Sequence, residues 1–272
     1  MPERKVPNMR TLTQSHAVLA AAAMGIAGPA LAADMPEEQP YEPPIIERAV
    51  PEDLGFIALR GSLNFLNGHD WAFYDAVGGG PTDPPVHTDY RMGWYAGIAG
   101  GYYLPIAADP VRLYGELELG YMDNEIDKHA IFDRDYERPW SSGSFKGYIG
   151  MASLGAEIET GTIVRPYVSA GIGLAHVKFD RFSVYDINAA GTNVDGWNVR
   201  TTQWSNALAY QVSGGALVAL KPGMDLELGY RFLGIQNVKM HTRNPTPGGE
   251  IKYDNTIDLQ NHQVMVGLRQ AF

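Results

Sequence analysis

The residues whose types and spacing could do chemistry lie in one acidic stretch just beyond a predicted strand. Its carboxylates and imidazole could converge on a divalent cation: Asp123, Glu125, Asp127, His129, Asp133, Asp135 and Glu137. An EF-hand loop is excluded, because Lys128 stands where that loop needs glycine and Arg134 where it needs its last carboxylate. We interpret the stretch as a solvated loop and predict no metal site.

A lipid-modifying hydrolase or acyltransferase would need a histidine beside a serine or a carboxylate. The candidates are His69, His87, His129, His176, His241 and His262. No nucleophile motif accompanies any of them, and the glycines at 78–80 and 97–101 do not lead from a strand into a phosphate-binding helix. We therefore predict no catalytic, cofactor-binding or metal residues and no enzyme, with a lipid A-modifying enzyme as the alternative.

Composition narrows the class of partner. The chain carries 21 Lys+Arg against 31 Asp+Glu, a formal charge of -10, which argues against a nucleic-acid partner. It has 0 Cys, so thiol chemistry and disulfides are excluded.

The first 54 residues indicate export. Basic residues, an apolar run at 17–27 and the small-residue site Ala30-Leu31-Ala32 predict a signal peptide at 1–32, with an N-terminal anchor as the alternative and Met9 as a possible start. Residues 33–54 are rich in Pro and Glu and predict a periplasmic linker.

From residue 55 onward, apolar and polar residues alternate with the period of two typical of β-strands. The eight runs are 55–65, 93–104, 111–122, 145–159, 165–174, 206–220, 225–232 and 263–272. Their lengths suit bilayer-spanning strands, so 55–272 is predicted to be an all-β, eight-stranded antiparallel up-and-down transmembrane β-barrel.

Connection lengths alternate along this region. Tight turns are predicted at 105–110, 160–163 and 221–224, and long polar loops at 67–90, 123–144, 178–204 and 236–256. Outer-membrane barrels have short periplasmic turns and long outer loops, so both termini are expected in the periplasm. Four tryptophans are then expected in or next to the outer loops: Trp71, Trp140, Trp197 and Trp204.

Alternation alone leaves open which face points outward, since a secreted lipocalin-like barrel has its apolar face inside. The small and charged face suits a crowded interior, and the apolar face carries the aromatic residues expected of a membrane girdle. These aromatics are Tyr102, Tyr121, Tyr210, Tyr230, Phe232 and Phe272. The charges predicted inside are Arg60, Arg112, Glu116, Glu118, Glu157, Glu227, Arg231 and Arg269, which paired would plug the lumen.

Four segments carry a resemblance to a known family: 165–173 (RPYVSAGIG), 209–211 (AYQ), 228–232 (LGYRF) and 266–272 (VGLRQAF). Over about 55–272 the chain resembles the small eight-stranded outer-membrane β-barrels of the opacity and OmpA-like transmembrane type. It departs from them at Gln270, where the family usually has an aromatic residue. The resemblance implies surface exposure, antigenicity and a structural or adhesive role.

These observations predict a protein of the Gram-negative cell outer membrane that serves envelope integrity, adhesion or antigenic display. The expected partners are outer-membrane lipids and lipopolysaccharide, the barrel-assembly machinery through the C-terminal strand, and a host or environmental ligand at the loops. A narrow porin is a further alternative.

Overall fold

The computed structural model describes residues 54–75, 80–83, 85–131, 134–137, 141–187, 193–246 and 249–272. The predicted signal peptide and residues 33–53 of the predicted linker lie outside this part of the chain. The elements are β1 (Gly55–Leu66), β2 (His69–Trp71), β3 (Tyr74–Asp75), β4 (Gly80–Pro81), β5 (Val86–Tyr90), β6 (Gly93–Ala108), β7 (Val111–Ile131), β8 (Arg134–Tyr136), β9 (Ser141–Ile158), β10 (Val164–Ile187), β11 (Asn193–Lys221), β12 (Met224–Thr246) and β13 (Gly249–Ala271).

Eight of these strands form a closed antiparallel ring. Around the ring, β1 pairs with β6, β6 with β7, β7 with β9, β9 with β10, β10 with β11, β11 with β12, β12 with β13, and β13 with β1. The β1–β13 seam runs from Phe56 opposite Ala271 to Leu66 opposite Asn261, so the last strand closes the barrel on the first. The predicted eight-stranded up-and-down barrel is confirmed.

The outer face of the ring is an apolar belt. Leu117 on β7 and Leu174 on β10 are 69% and 70% exposed, while their strand neighbours Glu116 and Ala175 point inward. An apolar surface on every side of a barrel would be costly in water and suits lipid. The fold is therefore a transmembrane β-barrel, and the lipocalin-like alternative, with its apolar face inside, is wrong for this belt. No helix among the described residues is long and apolar enough to cross a membrane.

The two ends of the barrel differ. At one end, here called the short-turn end, β6–β7, β9–β10 and β11–β12 are joined by the tight turns predicted from the sequence. At the other, the long-hairpin end, the strands continue far beyond the belt. The regions 67–90, 123–144, 178–204 and 236–256 were predicted as loops, and this was wrong for most of their described residues, which are strand.

The cause is an inversion of the alternation. On β10, Ile172 and Leu174 point outward, but beyond them Val177 and Phe179 point inward and Lys178 lies outside. On β13, Val264 is exposed, whereas Leu259 and Ile257 are buried. The part of the barrel wall beyond this inversion, called the extension, has a water-soluble protein's arrangement, polar outside and apolar inside.

An aromatic girdle marks the level of the inversion on the outer face. It comprises Phe65, Trp94, Tyr121, Tyr148, His176, Trp204, Tyr210, Phe232 and His262. Many of these rings are in contact with a neighbour; the Tyr121 and Tyr148 centroids lie 5.0 Å apart, and those of His176 and Trp204 lie 4.4 Å apart and are stacked. Such rings are typical of a membrane–water interface, so the extension lies outside the membrane.

Candidate functional site: the barrel lumen and its extension

A cluster of five charges fills the middle of the lumen. Members of this central charge cluster come from three strands, β1, β7 and β12: Arg60, Glu116, Glu118, Glu227 and Arg231. The Arg60 guanidinium donates to Glu116 (2.6 and 2.8 Å), to Glu118 (2.6 Å) and to Glu227 (2.9 Å). Arg231 donates to both oxygens of Glu118 (2.8 and 2.7 Å). All five side chains are buried, so the cluster spans and blocks the lumen.

A second group of charges lies nearer the short-turn end and is called the lower charge cluster. Arg269 donates to Glu157 (3.2 Å) and to the Tyr103 hydroxyl (3.0 Å), with its guanidinium 3.3 Å from the centre of the Phe56 ring. Arg165 pairs with Asp225, and Arg112 reaches Glu159 (3.2 Å).

All eight charges predicted inside the barrel face the lumen and take part in these clusters. The sequence reading missed the Arg165–Asp225 pair. Asp225 has the same strand parity as Glu227 and Arg231, so alternation places it inside, but no sequence signal joins it to a residue 60 positions away.

Above the central charge cluster lies the amide layer, defined as Asn124, Gln211, Asn261 and Gln263. All four side chains are at most 2% exposed. Gln211 donates to the Ser153 hydroxyl (2.9 Å), and the Asn124 amide nitrogen to the backbone carbonyls of Asn64 and Arg91 (3.4 Å each). The side-chain oxygens of all four have no hydrogen-bond partner within the described parts of the chain.

The interior of the extension is a hydrophobic core. It is built from side chains of most of the barrel strands, among them Phe145, Val177, Phe179, Phe182, Ile235, Met240 and Leu259. Trp71, predicted in an outer loop, is also in this core and is 2% exposed. The wall closes here through Asn255 on β13, which accepts from the Ala72 amide (2.9 Å) and donates to its carbonyl (2.7 Å).

A short polar chain is buried in this core. Trp71 Nε1 donates to Thr88 Oγ1 (2.7 Å), and Thr88 Oγ1 lies 2.7 Å from His129 Nδ1. Indole nitrogen is only a donor, so the hydroxyl accepts from it, and its own proton is available to His129 Nδ1 when the neutral imidazole carries its proton on Nε2.

Burial holds both histidines of the core neutral. His129 packs on Phe182 with ring centroids 4.7 Å apart, and His69 stacks on Tyr90 at 5.7 Å. Desolvation lowers the pKa of each imidazole to about 3. On the outer wall His87 contacts Asp70 (2.7 Å), and this hydrogen bond raises its pKa.

The described side chains of the acidic stretch do not form a group that could hold a metal ion. Asp123 and Asp127 point outward and pair with Lys146 (3.4 Å) and Arg91 (2.8 Å), whereas a bulge between β5 and β7 turns His129 inward. Asp135 pairs with Lys128 (3.0 Å), and Asp133 lies outside the described residues. The predicted loop is largely strand up to Ile131. Across the described chain, no three His, Asp or Glu side chains are arranged to hold a metal ion.

The six histidines do not meet at one site. His69 and His129 are buried, and His87 lies between two carboxylates on the outer wall. His176 contacts Asn206 (2.6 Å), and His241 and His262 pair with Asp254 and Tyr230. The glycines at 97–101 lie within β6, and Gly80 in β4, while Gly78 and Gly79 lie outside the described residues.

Comparison with known proteins finds similarity of structure only. No protein-family model and no curated protein matches the sequence. Among solved structures, Neisserial surface protein A is similar at 17% identity and a TM-score of 0.44, over 80% of this chain and 97% of that one. The outer membrane protein OprG from Pseudomonas aeruginosa is similar at 14% identity and a TM-score of 0.47, over 80% of this chain and 96% of that one. The outer membrane protease OmpT from Escherichia coli is similar at 10% identity and a TM-score of 0.47, over 82% of this chain and 98% of that one.

Two of these three names, those of OprG and OmpT, are of outer-membrane proteins. The fold implied by the four sequence segments is confirmed by the eight-stranded ring that β1 and β13 close. At such low identities none of their individual activities passes to this chain.

Proposed function

We propose that this chain is an outer-membrane β-barrel with a closed lumen, whose function is carried by the extension. The observation that carries the proposal is the inversion of the alternation at the aromatic girdle. Strands β12 and β13 continue about 13 residues beyond it, which at about 3.3 Å per residue and a tilt near 40° is a height of roughly 30–35 Å. Loops on a rigid scaffold are where binding residues concentrate.

The proposed location is the Gram-negative outer membrane, with the signal peptide removed and both termini in the periplasm. Support comes from the apolar belt, the girdle and the charged outer wall of the extension. The proposed partners are lipopolysaccharide and other outer-membrane lipids around the belt, and the barrel-assembly machinery at β13. Adhesion, antigenic display and envelope integrity are the roles that fit a closed barrel presenting a rigid outer wall.

The test removes a hairpin tip without touching the core. Val184 on β10 and Val199 on β11 face each other in register and both point inward. Replacing residues 185–198 by Asn-Gly, which favours a two-residue hairpin turn, should leave the barrel folded and reduce antibody recognition and cell binding by intact bacteria. Removing all of 178–204, as the loop prediction suggested, would also delete Phe179 and Phe182 from the core.

The lipid A-modifying alternative predicts a different outcome. Mass spectrometry of lipid A from deletion and overexpression strains should show unchanged acyl chains under the surface role. A reproducible change in acylation that is lost in His176→Ala would replace the proposal by the enzyme. The same variant disturbs the stack on Trp204, so its folded yield is measured in parallel.

A further inference from the structure

The outer wall of the extension carries its charges in two sectors of opposite sign. The acidic sector is formed by the described side chains of β2, β5, β7 and β8 that reach this wall. It has six carboxylates against two cations, a net charge of -4: Asp70, Asp89, Asp123, Glu125, Asp127 and Asp135, with Lys128 and with Arg91, which follows β5. The imidazole of His87, whose pKa is raised, and the carboxylate of Glu137, just past β8, add charges of opposite sign.

The basic sector lies on β10, β11 and β12. Its described side chains are five cations against one carboxylate, a net charge of +4: Lys178, Arg181, Arg200, Lys239 and Arg243, with Asp180. The sign of the charge changes at the two boundaries between the sectors. At one boundary Lys146 on β9 lies between Asp123 (3.4 Å) and Asp180 (3.5 Å), and at the other β13 carries one lysine against three carboxylates.

The two sectors lie on opposite sides of the extension. There β2 and β5 take the places that β1 and β6 hold in the membrane, because β5 pairs with β7, β2 pairs with β5, and Asn255 on β13 binds Ala72 next to β2. The circuit is therefore β2, β5, β7, β9, β10, β11, β12 and β13. In this circuit of eight, β11 at the centre of the basic sector is four strands from β5 in the acidic sector. Because the strands of a barrel tilt alike, the sectors stay opposite at every height.

We propose that copies of this chain associate side by side in the membrane, with the acidic sector of one copy against the basic sector of the next. Insertion gives all copies one orientation, so both sectors stand at the same height above the girdle. Asp123 is two residues beyond Tyr121 of the girdle, and Lys178 is two residues beyond His176. This association concerns contacts between copies and does not depend on the surface role proposed above.

The placement of the sectors decides the symmetry of the association. A two-fold axis along the membrane normal would bring like charges together, whereas a translation in the membrane plane brings opposite charges together. The contact is then head-to-tail, with a different face used on each copy. Since the two faces are on opposite sides of the barrel, the contact does not close on itself and produces rows.

A second copy is the partner that matches both sectors at once. A polyanion, such as the phosphates of lipopolysaccharide, would match the basic sector and be repelled by the acidic one. A strip roughly 30 Å tall and about 20 Å wide buries about 600 Å² on each copy, less than the roughly 800 Å² of a standard interface. Exposed ion pairs are also individually weak and screened by salt. The rows are therefore expected in the membrane, where copies are crowded and share one orientation.

The chain has 0 Cys, so introduced cysteines report on neighbouring copies without background. Met92, beside the acidic sector, and Thr202, in the basic sector, are both exposed and uncharged, and each lies two residues beyond a girdle tryptophan. Met92→Cys defines the acid-side copy and Thr202→Cys the base-side copy. Co-expressed and treated in outer-membrane fractions with a flexible bis-maleimide, the two should form cross-linked dimers, and neither should do so alone.

A chain that carries both cysteines should form a ladder of dimers, trimers and longer products, because rows have no last contact. Thr256→Cys is the matched control. Thr256 is exposed on β13 and lies opposite Lys239, at the boundary between the sectors, so it should cross-link with neither copy.

Charge reversal tests the electrostatic origin of the contact. Asp127→Lys with Asp135→Lys in the acid-side copy should lower the yield of mixed dimers at least about fivefold, and so should Lys239→Glu with Arg243→Glu in the base-side copy. Combining the two reversed copies should restore most of the yield, because the charges are again opposite. Raising the salt from about 0.05 to about 0.5 M should lower the wild-type yield several-fold, since the Debye length shortens. Fast migration of unboiled protein shows that each variant is folded.

Several results would overturn the proposal. One is the absence of mixed dimers, and another is cross-linking of acid-side copies to each other, which would indicate a two-fold contact. Loss of mixed dimers on reversal of the basic sector, without restoration by the reversed acidic sector, would assign the basic sector to a polyanion. A yield that both reversals leave unchanged would mean that the copies meet only by chance. Antibody recognition and cell binding test the surface role separately.

Discussion

At the scale of single residues, tyrosines on the inner wall lie flat over glycines of neighbouring strands. A Cβ on Gly120 would stand 2.1 Å from Tyr95 Oη and 2.2 Å from its Cζ. Tyr95 cannot move aside, because its hydroxyl binds Glu118 and its ring lies under Arg231. Gly120→Ala should therefore destabilise the barrel by about 1–3 kcal/mol, measured by denaturant titration of the folded band on gels.

Gly100→Ala is the control for that substitution, since a Cβ there meets nothing within 4 Å. It should change stability by no more than about 0.5 kcal/mol. Equal losses in the two variants would mean that strand propensity, and not the tyrosine contact, sets the cost.

Arg60 is the residue on which the central charge cluster depends most. Its guanidinium joins three glutamates, all buried. Arg60→Met would leave them with Arg231 alone, so we expect a loss of about 3–5 kcal/mol in unfolding free energy or failure to refold. Recovery of stability in Arg60→Met combined with Glu227→Gln would confirm that the loss comes from unpaired charge. No recovery would point to lost packing.

At the scale of elements, β2, β5 and the end of β7 are the acid-sensitive part of the extension, because His69 lies on β2 and His129, on β7, contacts Thr88 on β5. His69 and His129 have folded pKa values of about 3, below the ordinary 6.5 of an unfolded chain. The stability they contribute is complete above pH 6.5 and is lost as the pH falls toward 3, because the unfolded state takes up the protons. At pH 4.5 this loss is about 2–3 kcal/mol for each histidine.

Hydrogen exchange of peptides covering β2 and β5, corrected for intrinsic rates, should therefore accelerate between pH 7 and 4.5. His129→Asn keeps an acceptor for Thr88 without a titrating group and should reduce the acceleration. His87→Asn should not reduce it, since the raised pKa of His87 stabilises the fold at low pH. Acid-independent exchange in the wild type would contradict the burial of both imidazoles.

At the scale of the whole barrel, the charge clusters and the apolar core of the extension close the lumen in series. Single-channel recording of the purified protein should show no stable porin-like conductance. Arg231→Ala is the useful comparison, because it removes a blocking side chain from the central charge cluster but leaves the apolar core of the extension in place, so it should also show no current. Wild-type conductance that persists would favour the narrow porin.

The same architecture predicts where the protein is found. Unboiled protein should migrate faster than boiled protein on gels, because a ring closed by β1 and β13 resists detergent. The folded band should be present in outer-membrane fractions and absent from the soluble periplasm. Recovery from the periplasm would contradict a lipid-facing belt.

The sequence by itself determined the faces of the membrane-spanning strands. A period of two fixes Leu117 and Glu118 on opposite sides wherever the strand lies, so the lipid face and the luminal charges follow from alternation alone.

The extension was missed because its alternation is inverted and interrupted. Bulges at Arg181 and Asn237, both with positive φ, reset the parity so that Phe182 and Val238 still point inward.

Only the tertiary structure decided which charges meet: Arg60 and Glu118 are 58 residues apart, on strands that are not neighbours in the ring. Their contact depends on the stagger of the closed barrel, which sets the level of every inward side chain. The level of the amide layer above the central charge cluster depends on that stagger too.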